Sequence, residues 1–135
     1  MKKLSRISVL LAIALLFICS ISAFAEVVPY GIGSSSGSSS LSISSGTATC
    51  TSTYIGQGST VEITITQTLE KQGFLWIWST YAGEWTKTVT GKSASLTNRV
   101  YNLESGTYRV KTEVEVVENG KTNSYITYSA NKTVG

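Results

Sequence analysis

Three tryptophans, seven tyrosines and a set of glutamates are the residues of this sequence best able to do chemistry, and they lack the usual partners. There is no His, and all eight acidic residues are Glu. Ser-His-Asp and Cys-His nucleophilic arrangements are therefore excluded, as are the usual zinc and calcium ligand sets. Carboxylate-pair hydrolysis would need two Glu flanking a cleft. Glu113 and Glu115 instead share the outward face of one run with Arg109 and Lys111, a solvated row whose mixed charges discourage edge pairing. Gly31 and Gly33 precede no helix and make no phosphate loop. Cys50 has no Lys or Arg in its own segment to lower its pKa, so it is expected to be buried and inert. The sequence predicts no enzyme, no metal and no cofactor.

The aromatic residues carry the candidate binding site. Phe74-Leu75-Trp76-Ile77-Trp78, Tyr81 and Trp85 crowd one predicted hairpin. On a strand, Phe74, Trp76 and Trp78 would point one way, and Leu75 and Ile77 the other. The expectation is that Leu75 and Ile77 face inward, leaving Trp76 and Trp78 outward with Trp85 beside them on the next strand. Such a patch suits sugar rings or an apolar partner surface. The competing arrangement covers the rings or places them in the core, where aromatics commonly fill small sandwiches.

These side chains must be positioned by strands. Ala48, Cys50, Ser52 and Tyr54 alternate with Thr; Val61, Ile63, Ile65 and Leu69 alternate with polar residues; so do Tyr108, Val110, Thr112, Val114 and Val116. Period-two patterning of this kind marks antiparallel strands with one buried face. Turn signals at Gly56-Gln57-Gly58, Gln72-Gly73, Ala82-Gly83, Gly91-Lys92, Ser105-Gly106 and Asn119-Gly120 separate the runs. The predicted strands are Leu41–Ser44, Thr47–Tyr54, Val61–Lys71, Phe74–Tyr81, Trp85–Thr90, Ala94–Tyr101, Thr107–Glu118 and Thr122–Thr133. That content predicts an all-β, immunoglobulin-like antiparallel sandwich of about seven to eight strands. Leu103, Gly106 and Tyr108 have the form of a tyrosine corner, in which the phenol bonds back to the backbone upstream.

The N-terminus reads as an export signal. Lys2, Lys3 and Arg6 precede the apolar run Val9 to Ile18, and Ala23-Phe24-Ala25 supplies the small residues of a cleavage site. Residues 1–25 are thus expected to be a cleaved signal peptide, 26–40 a flexible Gly/Ser-rich lead, and 41–135 the sandwich. Removing the signal also removes three of the 11 basic residues and leaves the mature chain near neutral against its eight acidic ones. A neutral chain lacks the electrostatic footprint for nucleic acid, and attraction to anionic membranes is disfavoured in the same way. Cys19 leaves with the signal, so Cys50 has no internal partner.

Over most of the region from Leu41 to Lys132 the chain resembles small secreted immunoglobulin-like or fibronectin-like proteins of Gram-positive, Clostridia-like bacteria. Gly46-Thr47-Ala48-Thr49-Cys50, Ile65 to Lys71 with Trp78 following, and Ser105 to Lys111 carry the resemblance. It implies a β-sandwich and export, and brings no catalytic residues with it. The expected function is a secreted, non-catalytic binding or adhesion module for an unknown protein or cell-surface glycan, with no nucleic acid and no membrane partner after cleavage. The alternative is a small secreted effector, a bacteriocin-like toxin or enzyme inhibitor, acting through loops.

Overall fold

The structure, a computed structural model, describes residues 36–135 other than Gln57. The expected signal peptide, its cleavage site and residues 26–35 of the lead lie outside the described residues. Eight strands form in chain order: β1 (Ser36–Ser44), β2 (Thr47–Ile55), β3 (Val61–Gln72), β4 (Trp78–Gly91), β5 (Ser93–Val100), β6 (Gly106–Glu118), β7 (Lys121–Tyr128) and β8 (Lys132–Val134). They make two antiparallel sheets, one ordered β1-β2-β5 and the other β4-β3-β6-β7, with β8 pairing the start of β6 where β7 has ended. This is an immunoglobulin-like sandwich in which the fourth strand lies beside the third rather than the fifth.

Alternation drives the fold where it is cleanest. In β2 and β6 every second residue from Ala48 and from Tyr108 is buried, which places one row of each strand between the sheets. Two apolar clusters result. One gathers Tyr54, Ile63, Ile65, Val114 and Val116. The other gathers Leu41, Cys50, Leu69, Tyr108 and Val110 at the opposite end of the sandwich. Between them lies a polar layer. Gln67 Nε2 donates to Ser52 Oγ at 2.7 Å and to the Leu96 carbonyl at 3.1 Å, while Asn98 donates to Gln67 Oε1 at 2.9 Å. Ser52 shares a 2.7 Å hydrogen bond with Thr112, and Ser39 links Thr112 to Thr127. Among the described residues no buried side-chain nitrogen or oxygen lacks a partner, so the layer escapes the penalty of unsatisfied polar burial.

Four expectations change. Ser36–Ser40, assigned by composition to the flexible lead, belong to β1 and pair with Thr51–Ile55. The short side chain of Ser39 suits it to this place, because it reaches both Thr112 and Thr127 across the sandwich. Phe74–Tyr81 and Trp85–Thr90 are not two strands: Phe74–Trp76 is a single 3-10 turn, and β4 runs unbroken from Trp78 to Gly91. Ala82-Gly83 is accordingly not a turn: the two residues stay paired with Leu69 and Thr68, between bulges at Glu84 and Tyr81. The last predicted strand is divided at Ser129, whose amide donates to the Val110 carbonyl while its hydroxyl accepts from the Val110 amide. That exchange satisfies β6 with a side chain and lets the chain bend into β8.

Candidate functional site

The β3–β4 connection forms the exposed tip of one end of the sandwich. The Gly73 amide donates to the Ile77 carbonyl at 2.7 Å, and the Ile77 amide to the Phe74 carbonyl at 3.3 Å, closing a tight turn. Leu75 and Trp76 both occupy the left-handed region, with φ of 57° and 58°. Four consecutive large apolar side chains consequently point into solvent: Phe74 is 86% exposed, Leu75 64%, Trp76 76% and Ile77 63%. The inward placement expected for Leu75 and Ile77 is overturned, because a turn has no inward parity to offer them.

The three tryptophans separate. Trp76 stands at the apex. Trp78 begins β4 and is half-buried on the outer face of the five-stranded sheet, its ring centroid 4.2 Å from the Arg109 guanidinium carbon. The other side of the guanidinium faces Tyr128 at 4.1 Å, and Arg109 Nε donates to Glu70 at 3.0 Å. Arg109 is thereby stacked between two aromatics and ion-paired, an arrangement that holds the base of the tip. Trp85 does not join the other two. It pairs with the inward-facing Gln67, while Trp78 pairs with Gln72, an odd number of residues further along β3, so the two tryptophans lie on opposite faces of β4. Its ring lies over Gly83, where a Cβ would fall 2.7 Å from Cζ3.

The tyrosine-corner residues stand next to this tip and hold the same end together. Tyr108 is fully buried, and its hydroxyl donates to the Glu104 carbonyl at 2.6 Å. Burial, followed by the neighbouring Tyr81, pushes the phenol pKa up to about 12. The Leu103 amide donates to the Gly46 carbonyl at 2.9 Å, which ties the β5–β6 connection to the β1–β2 turn. Gly106 has φ of 152°, and a Cβ there would meet Lys71 Cε at 2.6 Å. Lys71 crosses this corner to pair with Glu104 at 3.1 Å, passing near the rings of Tyr81 and Tyr108. Tyr101, 63% exposed, adds another apolar side chain to the same connection.

Sequence reasoning singled out Trp76 and Trp78 but missed Arg109 and Tyr128 as the groups that orient Trp78. It also took Phe74, Leu75 and Ile77 for strand residues. The signal available was the unbroken apolar run Phe74–Trp78 directly after Gly73, since a strand with one solvated face should alternate. Elsewhere, an open depression of about 220 Å³ is lined by Thr64, Thr66, Glu113 and Glu115 among others, with no convergent donor set. Among the described residues no three His, Cys, Asp or Glu side chains gather as a metal site. No protein-family model matches this chain, and no curated protein matches it.

Proposed function

We propose that the chain is an exported, non-catalytic binding module that engages an extracellular partner through the β3–β4 tip. One observation carries the reading: bulky apolar residues occupy a turn whose backbone disfavours them. Among the described residues, paired left-handed residues occur at three turns, and at two of them the chain uses Ser45-Gly46 and Asn119-Gly120. Each of those turns places Gly at one of its two positions, and the second places Asn, which tolerates positive φ, at the other. At the third it uses Leu75-Trp76, at a cost of roughly 1–2 kcal/mol for each non-glycine residue held there. Exposed side chains recover none of that cost in the free protein. Strain concentrated at an exposed apolar apex is the usual mark of a contact surface.

Replacing Leu75 with Asn and Trp76 with Gly tests this directly. The double variant should be more stable than the parent, by about 1–2 kcal/mol in chemical denaturation, because the turn is relieved. It should lose retention on cell-envelope material from the producing cells. Retention equal to the parent's would remove the tip from the binding surface.

A further inference from the structure

We propose that the tip recognises the boundary between headgroups and hydrocarbon in a lipid bilayer, with uncharged lipid sufficient. The inference rests on the reading that the tip is the binding surface, and it names the chemistry of the partner.

Side-chain content argues first. From Phe74 to Trp78 the two indole N–H groups are the only polar side-chain groups. A sugar stacked on Trp76 would find few hydrogen-bonding groups beside it, since Arg109 is committed to Glu70 and Lys71 to Glu104. A protein interface is a broad patch with a polar rim and regularly spaced hydrogen bonds. The tip is a projecting apex of four side chains. A bilayer asks for neither hydrogen bonds nor a complementary contour.

The vertical order of residues fits as well. Phe74, Leu75, Trp76 and Ile77 form the apex. Behind them come Trp78, Arg109 and Tyr128 stacked on one another, and Lys71 lies in the adjoining strand. Apolar groups leading, with aromatics and cations behind, match the gradient from hydrocarbon to headgroup. The two hydrogen bonds that close the turn satisfy backbone groups that shallow insertion would otherwise strand. The two ion pairs balance the charge behind the apex, so apolar burial rather than attraction to anionic lipid supplies the affinity. The near-neutral charge of the mature chain bears only on the latter attraction.

A variant with Trp78→Phe and Trp85→Phe leaves Trp76 as the sole tryptophan and makes its fluorescence a local probe. Phosphatidylcholine vesicles should shift Trp76 emission to the blue, and lipids brominated in the acyl chain should quench it. Both effects should persist at about 1 M NaCl, where the Debye length is about 3 Å. Adding Leu75→Asn should weaken vesicle partitioning by about tenfold, the consequence of losing one buried leucine side chain. Unchanged Trp76 emission, or a response confined to anionic vesicles and abolished by salt, would overturn the proposal. If the Leu75→Asn/Trp76→Gly protein loses envelope retention while vesicles leave Trp76 unperturbed, the tip binds a protein or glycan of the envelope and only the lipid assignment fails. If neither material is bound, both readings fail together.

Discussion

Tyr108 shows how one side chain can secure an end of the sandwich. Its ring is buried edge-on against Tyr81, with centroids 5.2 Å apart, while its hydroxyl holds the Glu104 carbonyl. Tyr108→Phe keeps the ring and removes the bond, so the unfolding free energy should fall by about 1–2 kcal/mol. A midpoint of denaturation equal to the parent's would show that the corner contributes nothing. The same burial makes stability depend on alkaline pH. Cys50 is raised from an ordinary 9.0 to about 11 by burial, and Tyr108 from 10.0 to about 12. Both groups are neutral when protonated and hold that proton more tightly folded than unfolded. Their contribution is complete below the unfolded values and is lost as pH rises through the folded ones. Denaturation midpoints should therefore decline from about pH 9 to 12. In Tyr108→Phe the decline above pH 10 should be shallower.

Strand β4 is the element where local conformation matters most. It has 14 residues against the 12 of β3, and the surplus is absorbed at two bulges. Gly83 has φ of 112° and Glu84 of 73° at the first of them. Gly83→Ala would meet both the unfavourable φ and the Trp85 ring, and should destabilise the protein by about 1–3 kcal/mol. Amide exchange would locate the loss on β4, leaving β2 and β6 protected; a uniform loss across the sheet would contradict this. The contrast with the other strands explains what was legible beforehand. In β2, in β6 and over Val61–Gln67 of β3 burial alternates because the facing sheet covers one face of each strand, so there the apolar pattern and the strand are the same information. At Phe74–Trp78 propensity favours a strand, while the closure of Gly73 onto Ile77 imposes a turn. Ala82-Gly83 carried the composition of a turn because bulges and turns share the need for positive φ, and only the cross-strand register separates them. Trp76 and Trp85 both stood out by composition, but their separation follows from the turn at Phe74–Trp76 and the continuous run of β4, which no periodicity encodes.

At the scale of the whole molecule, the polar layer settles how the strands align. Apolar alternation forbids a slip of one residue but tolerates a slip of two, since the inward face is preserved. Ser39, Ser52, Gln67 and Thr112 lie at one level of four strands, and Asn98, opposite Cys50 on β5, reaches across to Gln67, so that all five are joined by hydrogen bonds. A two-residue slip in β3 would move the Gln67 amide into one of the apolar clusters and strand its partners, at a cost of several unsatisfied groups. The layer thus selects one register among those that alternation permits. It also recruits Ser36–Ser40 into the fold, which composition alone had placed in the lead. Gln67→Leu adds apolar volume where the two clusters nearly meet, yet it should lower stability by about 1–3 kcal/mol because Asn98 and the Leu96 carbonyl lose their partner. Extending the change to Ser52→Ala, Asn98→Val and Thr112→Val removes the polar side chains together, leaves the Leu96 carbonyl as the group deprived of Gln67, and should recover part of that loss. The recovered protein should nevertheless show more than one set of amide resonances for β1, since Ser39 would no longer find Thr112. A single set, with β1 still paired as Leu41 opposite Cys50, would mean that the apolar clusters alone specify the register and that the polar layer is dispensable for it.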